Sequence, residues 1–125
     1  MLKSARAAWT YVTREITPKG FVGATKNYQY LTVWDMASEF AAAYSARELG
    51  FINRARYKAF VDRTLTSIEK LALYDGAAFN RMYSAQTGEM VDSKAQPTEV
   101  GMGWSALDHG RLFVWLKLVA KDDPA

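Results

Sequence analysis

Apolar positions in this chain fall into four runs with helical spacing, separated by segments that lack it. Leu2, Ala5, Trp9, Val12 and Ile16 recur every three or four residues. That predicts a first helix, which Pro18 and Gly20 end. Residues 21–31 are rich in aromatics and show no clear period, so they read as a loop. A second stripe then runs through Val33, Met36, Ala37, Phe40, Ala41 and Tyr44. Its start, Thr32-Val33-Trp34-Asp35, fits a capping box, in which the threonine caps a helical amide and the acid returns the bond. Its end, Gly50 followed by apolar Phe51, fits a Schellman ending. Ala41, Ala42, Ala43, Ser45 and Ala46 leave room for a close helical neighbour.

Asn53 caps the third stripe, which is Tyr57, Phe60, Val61, Thr64, Leu65, Ile68 and Leu71. The short link before it predicts an antiparallel helical hairpin. Asp75-Gly76 marks a turn. Residues 79–83 and 89–91 are short extended segments around Thr87-Gly88, the pattern of a small β-hairpin. Residues 93–103 form a long polar loop broken by Pro97, Gly101 and Gly103. The last helix starts with a second capping box, Ser105-Ala106-Leu107-Asp108. Leu107, Arg111, Val114 and Leu118 line one side of it, and Leu112, Trp115 and Val119 another, so cover is expected on both sides. Lys117 and Lys121 suit its C-terminal dipole. The expected fold is mainly α: a single domain over 1–125, with about four helices in antiparallel hairpins and one small β-hairpin.

Composition narrows the chemistry. A chain of 125 residues holds one domain, and 50% hydrophobic with 23% charged residues is ordinary for a globular one. There is no cysteine, which removes disulfides, thiolate metal sites and cysteine nucleophiles. A single histidine, His109, removes a histidine-rich zinc site within one chain. No metal and no cofactor are therefore expected, and no glycine-rich phosphate loop or nucleophile elbow is present. The net charge of +3 is too mild to argue for nucleic acid. The basic residues Arg54, Arg56, Lys58, Arg63 and Lys70 are broken up by acids and read as a solvated face. No apolar run approaches the roughly 20 residues of a membrane span. Lys3 and Arg6 interrupt any signal-peptide core, so an export signal, if used, lies outside this chain. Aromatic residues make up 14%, more ring surface than a small core needs, which points part of it at a ligand or a partner.

Two helix starts combine a tryptophan with an acid. A tryptophan ring offers a flat apolar face on which the C–H surface of a sugar can stack. Asp35 beside Trp34, and Asp108 shortly after Trp104, are candidate catalytic carboxylates of a glycosidase-type pair. Each also has an ordinary structural role open to it, since an acid at that position completes a cap and complements the helix dipole. Glu99, in the loop before Trp104, is a candidate mobile acid, against the plain alternative of a solvated glutamate. Arg111 reads first as an ion-pair partner of Asp108, one turn earlier, and second as a ligand contact. Asn80 and Tyr83 are candidate hydroxyl-binding groups, with turn and strand roles as the alternative.

The segments TVWDMASEFAAAYSARELGFI, RMYSAQTGEMVD and GWSALDHGRLFVWLKLV together resemble a bacterial domain family of unassigned function. That family is related to the glucoamylase-like domain of cyclic β-glucan synthases and to six-hairpin (α/α)6 toroid glycosidases. The resemblance runs from about Ala8 to Val119. It implies part of such a toroid, with helical hairpins whose loops build a carbohydrate cleft at one end. Matched residue by residue, the substrate-binding positions it implies are Thr32, Trp34, Asn80, Tyr83, Trp104, Ser105 and Arg111, with Asp35 and Asp108 as acids. It also implies a carbohydrate partner, a β-glucan being one form, and a periplasmic or cell-envelope location. A full toroid needs about twelve helices, and at the usual helix length this chain holds a third of that. It would therefore be a fragment, a minimal relative, or a protomer completed by association. The expectation is a glycan-acting or glycan-binding module, glycoside hydrolase-like if it is an enzyme. The alternative is a non-catalytic helical module that self-associates or packs on another domain.

Overall fold

The structure is a computed structural model that describes residues 1–122. Four helices account for most of it: α1 (Leu2–Arg14), α2 (Val33–Glu48), α3 (Arg54–Glu69) and α4 (Ala106–Asp122). Four short strands fill the gaps: β1 (Tyr30–Thr32), β2 (Leu73–Tyr74), β3 (Ala78–Phe79) and β4 (Met82–Ser84). The protein is mainly α with small antiparallel strand pairs, as the apolar periodicity predicts.

The helix ends follow the sequence signals closely. Thr32 accepts from the Asp35 amide at 3.3 Å, and Asp35 Oδ2 accepts from the Thr32 amide at 2.8 Å, completing the capping box of α2. At the other end Gly50 has φ +70, the Phe51 amide donates to Ala46 at 2.8 Å and the Gly50 amide to Arg47 at 2.9 Å. This is the Schellman pattern. Asn53 Oδ1 accepts from the Arg56 amide at 2.9 Å and starts α3.

α2 lies at the centre of the bundle. Val33, Met36, Ala37, Phe40 and Ala43 are buried along it, and its most extensive packing is with α4. Three contacts give the relative direction of this pair. Arg111 donates to Ser38 at 3.1 Å, the Tyr44 and Trp115 rings meet at 5.9 Å, and Arg47 pairs with Asp122 at 2.9 Å. Residue numbers rise together on both helices, so α2 and α4 run parallel. α3 starts where α4 ends, since Tyr57 donates to Asp122 and Arg54 to its carbonyl, so it runs the opposite way and forms the expected hairpin with α2. α1 has no fully buried residue. Its Ala5, Ala8, Trp9 and Val12 lie along the small-residue stretch Ala42, Ser45 and Ala46, and the Trp9 ring meets Phe60 at a tilt, with centroids 5.3 Å apart.

The expected small β-hairpin forms around Thr87-Gly88, and further strand pairings accompany it. β4 comes back on itself, with Tyr83 bridging Met90. Its ladder partner, however, is β1, in the register Tyr30↔Ser84, Leu31↔Tyr83, Thr32↔Met82. Part of the segment read as a loop is thus an edge strand that delivers the chain into α2. The Asp75-Gly76 turn makes a second pair, β2 with β3. Both Asp75 and Gly76 have positive φ, 51 and 65, and the Ala77 amide closes the turn on the Tyr74 carbonyl at 3.1 Å.

α4 differs from expectation in its cover. Leu112 and Val119 are buried and Trp115 packs on the core. On the other side Leu107 is 73% exposed, Val114 59% and Leu118 36%.

Candidate functional site

Because α2 and α4 are parallel, both tryptophan-led helix starts lie at one end of the bundle. Trp34, Asp35 and Ser38 come from the first turns of α2, and Trp104, Ser105, Asp108 and Arg111 from the approach and first turns of α4. Arg111 joins the two sets. Its guanidinium lies 3.9 Å from the centroid of the Trp34 ring, and it donates to Ser38 Oγ at 3.1 Å. No ion pair forms between Arg111 and Asp108. The expected one-turn pair is replaced by a bridge between helices, because a guanidinium over an indole face gains cation–π attraction as well as a hydrogen bond. One face of Trp34 is therefore occupied, and the ring is 40% exposed.

The acids divide by surroundings. Asp35 Oδ2 also accepts from Thr32 Oγ1 at 2.8 Å, so both Thr32 and Asp35 are engaged in the cap. Asp35 further lines a cavity of about 130 Å³ with Tyr11, Val12, Val22, Gly23, Ala24, Ser38 and Glu39. Ser105 Oγ accepts from the Asp108 amide at 3.3 Å, but the Asp108 carboxylate makes no hydrogen bond or ion pair among the described residues. Glu99 is exposed and lines a different groove, beside Ala72, Glu89, Met90, Pro97 and Thr98. Asp35 and Glu99 thus open onto different cavities.

Asn80 and Tyr83 face inward, and both are fully buried. Asn80 Nδ2 donates to Met82 at 2.8 Å and to Val91 at 3.1 Å, while its Oδ1 accepts from the Met102 amide at 2.8 Å. The Tyr83 hydroxyl accepts from the Asn80 amide at 2.8 Å and donates to Ala72 at 2.7 Å. Burial pushes that phenol up to about 12. Within this arrangement the two residues hold the 80–102 segment against the core, which sets the position of Trp104.

Trp104 is 55% exposed and stands edge-on to His109 at 5.7 Å. With Leu73, Ala77, Ala78, Phe79 and Phe113 they wall a groove of about 470 Å³. His109 is held on both ring nitrogens. Nε2 accepts from the Phe79 amide at 3.1 Å, and Nδ1 lies 2.8 Å from the Ser105 carbonyl. Those partners set which nitrogen carries the hydrogen, and they make His109 a fixed wall of the groove.

Glu39 is the functional-type residue that pattern reading passes over. It is 4% exposed, and its Oε1 accepts from the Val22 amide at 2.9 Å. Among the described residues its Oε2 is buried without a hydrogen-bond partner, as is Nε of Arg63. Burial is the main force that raises its carboxyl from 4.5 to about 7. The Val22 amide and Arg63 oppose that rise, and the negative charge of Asp35 adds to it. The phenol of Tyr11, in the same cavity, is likewise raised by burial and then by Glu15 and Asp35. A signal was present in the sequence: Glu39 interrupts the apolar stripe between Met36 and Phe40, where a charged residue has to be buried.

Among the described residues no group of three or more histidines, cysteines or acids is placed to hold a metal ion. Among the described residues no helix is long and apolar enough to cross a membrane.

Residues 3–125 match the family described as protein of unknown function (DUF3131), and the chain belongs to that family. No curated protein and no solved structure matches it.

Proposed function

We propose that this DUF3131 domain is a glycan-acting or glycan-binding module related to the glucoamylase-like (α/α)6 toroid domains. It holds a poly- or oligosaccharide against aromatic rings at the end of the bundle where α2 and α4 begin. The observation that carries the reading is the parallel alignment of those two helices, because it brings both tryptophan-led starts to one end. Trp104 supplies an open ring, and Trp34 supplies one held in place by Arg111. Asp108 has an unengaged carboxylate for sugar hydroxyls. The groove of about 470 Å³ is of ligand-binding size. If there is turnover it is glycoside hydrolase-like, with Asp108 as the acid at this end, since Asp35 is held in its cap and Glu99 lines a separate groove, and the setting is the periplasm or cell envelope.

The test is a tryptophan fluorescence titration with β-glucan oligosaccharides, run beside product analysis. A saturable change that Trp104→Ala abolishes is expected. A flat response with no hydrolysis products overturns the reading.

A further inference from the structure

The outer face of α4 is not accounted for by anything else in the fold. Leu107, Gly110, Val114, Leu118 and Lys121 follow one another at spacings of three and four, which places them on one stripe. Leu107 is 73% exposed, Val114 59% and, on the flank, Phe113 59%. A surface helix ordinarily turns a polar face to solvent. Among the described residues its exposed polar groups are Lys117 and Lys121, both toward the C-terminal end, with Asp108 and Arg111 half-buried nearer its start.

Gly110 sits in the middle of that stripe. Glycine is disfavoured inside a helix. Here no left-handed backbone calls for it, and a Cβ at that position would meet nothing within 4 Å. Nothing inside the chain explains its presence. A residue without a side chain, flanked by large apolar ones on an open helix face, lets a second helix axis approach closely.

We propose that this face pairs two copies of the chain, α4 against α4 and antiparallel, about a two-fold axis at Gly110. The stripe is self-complementary about that point, because Leu107 of one protomer then falls level with Phe113 of its partner, within one residue of the partner's Val114, and the glycines meet between them. Charge selects the direction. In the antiparallel arrangement the lysines of the two copies lie at opposite ends and the helix dipoles oppose, whereas a parallel one sets lysine against lysine. Exposed Leu107, Phe113, Val114 and Leu118 supply the apolar centre that such an interface needs, with the lysines at its rim. The face shares Phe113 with the groove beside Trp104, but Leu107, Gly110, Val114 and Leu118 lie outside that groove, so the dimer and the glycan reading can each fail alone.

The absence of cysteine gives a direct test. Gly110→Cys places the only thiol on the axis, within disulfide reach of its copy. Leu118→Cys places it about 24 Å from its copy. Sedimentation equilibrium of the native chain is expected to show a dimer, and Gly110→Cys to oxidise to a covalent dimer much faster than Leu118→Cys. The double variant Leu107→Lys, Val114→Lys is expected to be monomeric with an unchanged far-UV spectrum. A native chain that stays monomeric up to about 100 times the micromolar range assigns the face to another occupant and overturns the proposal. Cross-linking of Leu118→Cys as fast as Gly110→Cys overturns the antiparallel arrangement.

Discussion

Arg111 lies over Trp34, its guanidinium 3.9 Å from the ring centroid, and this contact ties the first turns of α4 to those of α2. The hydrogen bond to Ser38 Oγ fixes the side chain in place. Arg111→Ala removes both and is expected to destabilise the fold by about 1–2 kcal/mol, a fall of several degrees in Tm. It also frees the second face of Trp34, so the emission spectrum should shift. Thermal unfolding followed by tryptophan fluorescence reads both effects. An unchanged Tm would mean that the bridge contributes nothing net.

Glu39 makes stability depend on pH in an unusual direction. Its carboxyl is raised in the folded protein from 4.5 to about 7, so the folded state holds the proton more tightly than the unfolded one. The associated stabilisation is present below the ordinary value and is lost as pH rises through about 7. For a shift of this size the contribution is about 3 kcal/mol. Glu39→Gln keeps the shape and removes the titration. Urea midpoints at pH 5 and pH 8 should therefore converge in the variant, relative to the native chain, with the gain at pH 8. An equal pH dependence in both proteins would contradict this.

Asp35 and Asp108 separate structural from ligand-binding roles. Asp35 accepts from the Thr32 amide and hydroxyl, so Asp35→Ala removes a cap and should cost about 1 kcal/mol. Asp108 has an unengaged carboxylate, so Asp108→Ala should leave stability within about 0.5 kcal/mol and weaken oligosaccharide binding. Denaturant unfolding and the sugar titration, run on both variants, distinguish the two. A stability loss at Asp108 as large as that at Asp35 would place the carboxylate in the scaffold.

Asn80 and Gly101 meet at the closure of the 80–102 segment. Gly101 has φ +76, and a Cβ there would approach Asn80 Oδ1 to 2.7 Å and Tyr74 to 2.9 Å. Gly101→Ala is thus strained twice over, by backbone and by contact, and should cost about 2 kcal/mol. Asn80→Ala removes the side-chain partner of the Val91 carbonyl and of the Met102 amide, while the Met82 carbonyl keeps the Val91 amide, and should cost at least as much, about 2–4 kcal/mol. Because the two share one contact, the double variant should lose less than the sum, which a double-mutant cycle measures.

What was legible in the sequence was local. Capping by Thr32, Asp35 and Asn53, the Schellman ending at Gly50 and the turn at Asp75-Gly76 each depend on a few neighbouring residues, and each appears in place. The pairing of β1 with β4 was not legible, because Leu31 and Tyr83 meet only after the chain between them has folded. Arg111 illustrates the same limit at the site. Spacing along α4 pointed it at Asp108, but the indole of Trp34 and the hydroxyl of Ser38 on α2 compete better. Asn80 and Tyr83 carry groups that suit a ligand, and only their burial shows that those groups are already used. Glu39 was visible as a charge within an apolar stripe, but its lone buried oxygen is a property of the packed state.

The parallel course of α2 and α4 also bears on how the chain folds. Antiparallel neighbours such as α2 and α3 can meet as soon as a short link bends, but parallel neighbours must wait until the intervening chain has returned to its starting end. Here that return is made by α3 and the whole strand-bearing segment before Ser105. Docking of α4 is therefore a long-range closure, and it buries Leu112 and Val119 only at the end. Until then the core cluster that Leu112 and Val119 join lacks part of its cover, so a chain still emerging from the ribosome exposes sticky surface until α4 is made.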